Sequence, residues 1–138
     1  MCARLASLYE LQSAWLEPRL EAIGVSWTAF QLLLTVAAAG ENASQIEVAR
    51  RLGVTAPTLS ESVQAHVAKG LLRQVQTKKD RRIKVLTLTP KSQELMLEIR
   101  RLVAEAEAVM TRGLSESACR DLAKLLDQAA ENFESSMR

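Results

Sequence analysis

The pattern of apolar and polar positions predicts a mostly helical chain with one short β-hairpin. Apolar residues recur at helical spacing through six segments, residues 4–23, 27–39, 44–52, 56–69, 92–112 and from 115 onward. Two further runs, residues 71–76 and 83–89, have the length and composition of strands, and they flank a charged turn at 77–82. The pattern therefore predicts a mostly α fold with a small β-hairpin.

The first helical segment is apolar over a wider arc than one buried face requires. Pro18 predicts a kink or a break near Glu17, and Gly24 ends the helix. Since a helix that is apolar over a wide arc needs partners on two sides, we expect a subunit interface at residues 3–23. The long helices after Pro90, about residues 91–137, also carry stripes that a small domain cannot bury alone, and they predict dimerisation as well. A coiled coil is the alternative, but the apolar spacing holds no strict heptad.

The middle of the chain, residues 26–90, carries the signals of a helix-turn-helix followed by a hairpin. Ser26 caps the helix of residues 27–39, and Ser44 caps the helix of residues 44–52, where Glu47 completes a capping box. Gly53 follows that helix, and Thr55 caps the next one, which has Pro57 in its first turn. Two helices joined by a short glycine-containing turn are typical of a helix-turn-helix. With the hairpin added, the arrangement is a winged helix-turn-helix.

The apolar positions of these two helices predict which residues face the core. They are Ile46, Val48, Ala49 and Leu52 in the first helix, and Leu59, Val63, His66 and Val67 in the second. His66 shares this spacing, which favours a hydrogen-bonded core histidine over a ligand or a pH sensor. The connector at residues 41–43 is short enough to lie against the hairpin as a minimal strand.

Charge is distributed unevenly along the chain. The 138 residues carry a formal net charge of +2, but residues 42–91 contain ten Lys and Arg against three acids, a net +7, and the remainder is net −5. A basic surface that coincides with a helix-turn-helix favours contact with phosphates. The alternative is a solvated basic face without a partner.

The composition argues against several other classes of protein. The length suits one domain spanning residues 1–138. Cys2, Cys119 and the single His66 have no metal-ligand spacing, and neither a phosphate-binding loop nor a nucleophile–base pattern of an enzyme is present. We therefore expect no metal, no cofactor and no enzyme activity. No apolar run spans a membrane and the start lacks the plan of a secretion signal, so a cytoplasmic location is expected.

These residues resemble the multiple antibiotic resistance regulator (MarR) family of bacterial transcription factors over nearly the whole chain. The specific parts of the match are residues 45–54, Pro57-Thr58-Leu59-Ser60, residues 69–73, the Asp80-Arg81-Arg82 signature of the hairpin and residues 86–90. The helix-turn-helix alone is shared by many families. The Asp-x-Arg pattern, here Asp80 and Arg82, makes the resemblance specific.

The resemblance implies a DNA-binding surface. The helix that begins at Thr55 would enter the major groove, with these residues nearest the DNA: Thr55, Pro57, Thr58, Ser60, Glu61 and Gln64. Arg82 would enter the minor groove, oriented by Asp80. Lys78, Lys79 and Arg81 would contact phosphates. Ser44 and Gln45, at a helix N-terminus, would also contact the DNA backbone. Arg73 belongs to the same set of DNA-binding residues.

Three positions depart from the family pattern. Glu61 and Ala65 stand where members often carry Arg, and Val67 stands where many carry Glu. Glu61 cannot contact a phosphate favourably, but it could accept from the amino group of a cytosine. The loss of cations predicts weaker non-specific binding with a flatter salt dependence. It also leaves open a winged-helix module that binds protein and not DNA.

The expected function is a homodimeric, sequence-specific DNA-binding transcriptional regulator, a repressor, on a pseudo-palindromic operator with recognition helices about 34 Å apart. The resemblance implies release by a small aromatic or phenolic effector, whose pocket Trp15, Trp27 and Phe30 could line; plain core packing is the alternative for each. A redox-responsive variant would use Cys119, in the first turn of the last helix, in preference to Cys2 at the terminus. A small, half-buried residue is the alternative for Cys119.

Overall fold

The computed structural model describes residues 1–138 apart from the side chain of Asn42. The helices are α1 (Cys2–Ala22), α2 (Trp27–Ala39), α3 (Gln45–Leu52), α4 (Ala56–Ala68), α5 (Pro90–Met110) and α6 (Glu116–Ser136), with a short 3₁₀ helix at Gly40–Asn42. The strands are β1 (Leu72–Gln76) and β2 (Lys84–Leu88). The mostly helical fold with one hairpin is thus confirmed. Residues 1–104 and 105–138 form two compact units.

Helix α2 is the centre of the first unit. It contacts α1, α3 and β2, and its side chains are among the most buried of the chain: Ala29, Phe30, Leu32, Leu33 and Val36. A helix that is nearly all apolar needs neighbours on several sides, and these three elements provide them. Helix α2 therefore forms the core of the first unit.

Four of the helices are capped at their N-terminus by a Ser or Thr side chain. Ser26 Oγ accepts a hydrogen bond from the Ala29 amide at 3.1 Å, Ser44 Oγ from the Glu47 amide at 3.2 Å, and Ser115 Oγ from the Ala118 amide at 3.1 Å. Thr55 caps α4 in the same way. These bonds satisfy amides that have no partner inside the helix, so the caps fix where each helix begins.

Gly53 makes the turn between α3 and α4. It has a φ of 64°, and the Val54 amide donates to the Ala49 carbonyl oxygen at 3.1 Å. This is a Schellman ending, in which a left-handed residue lets the chain satisfy the last carbonyls and turn away. A residue with a side chain is strained at this φ, so glycine is favoured here. Its left-handed conformation sets the angle between α3 and α4.

The two strands form an antiparallel hairpin, which we call the wing. Leu72 pairs with Leu88 and Gln76 with Lys84. The wing is tied to the rest of the unit through Ala43, whose carbonyl oxygen accepts from the Leu86 amide at 2.8 Å, and through a bridge between Ser44 and Val85. The connector therefore lies against the wing as predicted, but Gly40–Asn42 form a 3₁₀ helix, and the strand-like pairing is limited to Ala43 and Ser44.

Helix α1 runs unbroken through Pro18 from Cys2 to Ala22, so of the predicted kink or break near Glu17 the break does not occur. A proline inside a helix removes the bond to the carbonyl four residues earlier, here that of Ala14. Ala14 and Pro18 are both exposed, so water can satisfy that carbonyl. In the same turn, the Arg19 guanidinium donates to the Trp15 carbonyl oxygen at 2.6 Å and lies 3.7 Å from the centre of its ring.

Two residues assigned to the core are exposed. Ile46 has 76% of its surface accessible and Val67 has 40%. Ile46 precedes the fully buried Val48 by two positions, which turns it about 200° around the helix and away from the core. Val67 lies at the edge of the buried stripe of α4, about 100° from His66. Both assignments were wrong.

The second unit contains α6, in which no residue is buried. Among the described residues, no single helix is long and apolar enough to cross a membrane. Helices α1 and α2 reach that length and apolar character only when taken together, and the pair is bent by 95° at the break between them.

Candidate nucleic-acid interface

Helix α4 has one buried stripe and one polar outer face. Leu59, Val63 and His66 are buried, at 2%, 0% and 4% accessibility. The predicted DNA-facing residues lie on the other side: Thr55, Pro57, Thr58, Glu61 and Gln64 are exposed and Ser60 is half-buried. The core side thus fixes the rotation of α4 about its axis, and that rotation decides which side chains a partner meets.

The start of α4 holds two hydroxyl groups in a fixed arrangement. Thr55 Oγ1 accepts from the Thr58 amide at 3.3 Å and donates to Thr58 Oγ1 at 2.8 Å. The Thr58 hydroxyl keeps its own proton for a partner, because it is the acceptor of this pair. Both groups are exposed, so the first turn of α4 presents an oriented hydroxyl donor to the solvent.

The tip of the wing is a tight turn built around Asp80. Thr77 Oγ1 accepts from the Asp80 amide at 3.1 Å and donates to the Asp80 carbonyl oxygen at 2.7 Å. The Ile83 amide donates to the same carbonyl at 3.0 Å, and the Thr77 amide donates to Ile83. These bonds fix the backbone of the tip without help from the side chains of its basic residues.

The Asp80 carboxylate pairs with Arg82, as the family resemblance implied. Asp80 Oδ1 accepts from the Arg82 amide at 3.0 Å and from Arg82 Nε at 3.2 Å, and Oδ2 accepts from Nη2 at 3.3 Å. The Arg82 side-chain and backbone donors together lower the pKa of Asp80 below its ordinary value. The Arg82 side chain remains 92% accessible, so this guanidinium is both held in direction and open to a partner.

The other cations of the wing are exposed. Lys78, Lys79 and Arg81 surround Asp80 at the tip, Lys84 begins β2, and Arg73 lies on β1. Among the described residues, none of these five makes an ion pair. Their charges are therefore available to a polyanion.

The start of α3 is joined to the wing by two side chains. Gln45 Oε1 accepts from Gln74 Nε2 at 2.6 Å, across a separation of 29 residues. Gln45 was predicted as a DNA-binding residue, whereas Gln74 was missed. The alternation of Gln74 and Gln76 along β1 marks an exposed strand face, but it does not reveal which side chain lies opposite.

A cleft of about 370 Å³ brings the three elements together. It is lined by Ser44, Gln45 and Ile46 of α3, by Ala56 at the start of α4, and by Arg82, Ile83 and Lys84 of the wing. Ile46, Ile83 and Lys84 were not among the predicted site residues. The cleft shows that the first turn of α4 and the tip end of the wing lie side by side.

The two arginines of α3 are engaged within their own helix. Glu47 Oε1 accepts from Arg50 Nη2 at 2.7 Å and from Arg51 Nε at 2.9 Å. These hydrogen bonds lower the pKa of Glu47 from 4.5 to about 2, more than burial raises it. The predicted capping box is thus only half formed, because Ser44 accepts from the Glu47 amide while the Glu47 carboxylate binds these guanidinium groups.

The predicted effector residues lie in the first unit. Trp27 packs against the buried Phe30, with ring centres 5.0 Å apart, and Tyr9 meets Trp27 edge to face at 6.4 Å. Trp15 is half-buried beneath Arg19. Tyr9 was missed by the sequence prediction, although it shares the spacing of the apolar positions of α1.

His66 and the cysteines occupy ordinary positions. His66 is buried with Nδ1 2.6 Å from the Ser62 carbonyl oxygen, as the core prediction required. Cys2 is exposed and Cys119 half-buried, both as free thiols. Among the described residues, no group of three or more His, Cys, Asp or Glu could hold a metal ion.

Comparison with known proteins points to one family. Residues 23–83 match the model of the MarR family. The crystal structure of transcriptional regulator PA3341 superposes with a TM-score of 0.81 at 29% identity, covering 96% of this chain and 97% of that one. A MarR family regulator from Listeria monocytogenes, complexed with a 26mer DNA, gives 0.84 at 20% identity, with 99% and 90% coverage. A mutant of MarR from E. coli complexed with operator DNA gives 0.75 at 18% identity, with 92% and 91% coverage.

Proposed function

We propose that this chain, whose residues 23–83 match the model of the MarR family and whose fold matches that of a solved MarR family regulator, represses transcription as a homodimer bound to a pseudo-palindromic operator. The observation that carries the proposal is the oriented and exposed Arg82 beside the polar face of α4. Such a protein acts in the cytoplasm, and its partner is double-stranded DNA.

The two exposed elements suit the two grooves of a duplex. Helix α4, here the recognition helix, has a row of short polar side chains that can approach base edges in a major groove. The wing tip is narrow and carries a directed guanidinium, which suits the negative potential of a narrow minor groove. The exposed lysines beside it suit phosphates, which supply affinity without sequence information.

Two solved relatives support DNA as the partner. The Listeria monocytogenes regulator and the E. coli MarR mutant were both crystallised with DNA. Their fold covers at least nine-tenths of this chain. The same elements are therefore available in this chain for the same use.

Exposed apolar stripes support the homodimer. Helix α1 leaves Leu5, Leu8 and Leu11 between 44% and 66% accessible, at spacings that share one face. Helix α6 exposes Leu125 and Phe133 at 68% and 67%. Monomeric proteins seldom leave such stripes in water, and a two-fold partner would cover both helices.

Control by a small aromatic effector is the last part of the proposal. The cluster of Tyr9, Trp27 and Phe30 and the half-exposed Trp15 offer aromatic faces near α1. An effector that bound there would act by favouring dimers whose recognition helices do not match the operator spacing. A panel of aromatic acids should then change both tryptophan fluorescence and DNA affinity, and no change in either would contradict this part.

The test of DNA binding is selection of bound sites from random duplex, followed by fluorescence anisotropy at several salt concentrations. We expect pseudo-palindromic sites and a lower affinity for the Arg82→Ala, Lys79→Ala double variant, with Lys124→Ala on α6 as the matched control. Sedimentation equilibrium should give a dimer, and Leu125→Glu with Phe133→Glu should shift it to monomer. Binding unaffected by the double variant would contradict the wing assignment. Absence of binding at low salt would favour a protein partner instead.

A further inference from the structure

The recognition helix contains one acidic residue and neither Lys nor Arg. Between Thr55 and Ala68 there is neither Lys nor Arg, and Glu61 is the only acidic residue. At about 100° per residue, Glu61 lies roughly 200° from Leu59, opposite the buried stripe of Leu59, Val63 and His66. It is thus the side chain at the centre of the outer face. A helix that enters a groove by this face brings Glu61 to the base edges first.

Glu61 has no partner that would neutralise it within the protein. It is exposed, and among the described residues it makes neither an ion pair nor a hydrogen bond. Its neighbours on the helix surface, three and four positions away, are Pro57, Thr58, Gln64 and Ala65, none of which is a cation. The carboxylate would therefore approach DNA with its acceptors free.

A free carboxylate in a groove lined by phosphates is repelled unless the DNA offers it a donor. Guanine presents two acceptors in the major groove and thymine presents one, so both oppose a carboxylate. Adenine offers an amino donor but places the N7 acceptor beside it. Cytosine offers an amino donor without an adjacent acceptor in the same base.

We propose that Glu61 reads a cytosine at one position of each operator half-site, by accepting a hydrogen bond from its N4 amino group. This inference rests on the proposed DNA-binding function and adds the base that the recognition helix requires. The same carboxylate rejects duplexes without that amino group, because its repulsion by phosphates then has no compensation. Glu61 is a specificity-determining residue, and the wing supplies the attraction that offsets its charge.

Site selection with three proteins tests the proposal. We expect the wild type to select a C·G pair at one symmetric position of each half-site. Glu61→Gln should shift that position towards A·T, because an amide matches the donor and acceptor of adenine. Glu61→Ala should lose the preference and bind scrambled duplex more tightly. Glu94→Gln, an exposed acid on α5, is the matched control and should select the wild-type site.

A chemically altered duplex tests the contact itself. N4-methylcytosine keeps its pairing with guanine but replaces the amino hydrogen that faces the groove. Placing it at the selected position should lower wild-type affinity by about tenfold to 100-fold and leave Glu61→Ala unaffected. Identical sites for wild type and Glu61→Ala, or equal sensitivity of both to the methyl group, would overturn the inference. If the wild type binds no duplex at low salt, the proposed function itself fails. If the wild type binds DNA and Arg82→Ala weakens that binding, the proposed function stands and the experiment decides only the role of Glu61.

Discussion

The recognition helix and the wing lie on either side of one cleft, yet they are built in different ways. The recognition helix has no Lys or Arg, and its orientation comes from the buried Leu59 and Val63. The wing has five Lys and Arg against one Asp between residues 77 and 84, and its tip is held by the hydrogen bonds of Thr77 and Asp80. One element is positioned by packing and the other by local polar contacts.

This difference separates two requirements of DNA recognition. Attraction to phosphates is independent of sequence, and in the proposed function it comes from the wing, where the cations are concentrated. Discrimination between bases depends on where donors and acceptors stand, and a helix anchored in the core holds them more precisely than a hairpin tip does. We therefore expect changes in the wing to alter affinity, and changes on the recognition helix to alter sequence preference.

The largest expected effect is a loss of stability on substitution of a buried residue of the recognition helix. Leu59→Ala should lower the free energy of unfolding by about 2–5 kcal/mol, because it leaves a cavity under a helix that has few other anchors. Gln64→Ala, on the exposed side, should change it by about 0.5 kcal/mol or less. Urea unfolding at one protein concentration measures both. Similar losses for the two variants would show that the helix is not positioned by its buried stripe.

The next effect is on affinity, from the cations of the wing. Replacing Lys78, Lys79 and Arg81 together by Ala should weaken DNA binding on the order of 100-fold at physiological salt. Because the proposed homodimer loses three cations from each of its two wings, the slope of log affinity against log salt should fall by about 5. The ratio of affinities for selected and scrambled duplex should stay the same. Lys124→Ala is the control. A changed ratio at constant slope would mean that the wing reads bases and would reverse the comparison.

A smaller effect should come from Asp80, which orients Arg82. Asp80→Asn removes a negative charge near the DNA, which alone would raise affinity, but it also weakens the bonds that direct the guanidinium. We expect the second effect to prevail, with affinity falling by about three- to tenfold in an anisotropy titration. Because the pKa of Asp80 is lowered, the pair should persist at neutral pH and be lost only in acid. Tighter binding by Asp80→Asn would contradict the orienting role.

The smallest effect concerns Glu47, which holds Arg50 and Arg51. Its pKa is lowered from 4.5 to about 2 in the folded protein, so its contribution to stability is complete above pH 4.5 and is lost as the pH falls towards 2. Glu47→Gln lacks this contribution. Thermal unfolding should show the wild type to be more stable above pH 5, with the difference shrinking as the pH approaches 2. A difference independent of pH would mean that the ion pairs are not its source.

Local signals in the sequence predicted most of the elements correctly. Ser26, Ser44 and Thr55 each cap the helix they were expected to cap, because a cap needs only its own side chain and the next few amides. The Asp80–Arg82 pair was expected from the family resemblance, and the structure contains it. By contrast, apolar spacing wrongly placed Ile46 and Val67 in the core, and of the kink or break predicted at Pro18 the break does not occur.

The sequence by itself determined the helices, the hairpin, the surplus of positive charge on the wing and its absence from the recognition helix. These follow from side-chain spacing and chain-local hydrogen bonds, which act over a few residues. Only the tertiary structure decided that Gln45 meets Gln74, that Ile46 faces the cleft, and that the start of the recognition helix adjoins Arg82. Such contacts join residues far apart in the chain, and they exist only after burial of the core has fixed the rotation of each helix and the position of the wing.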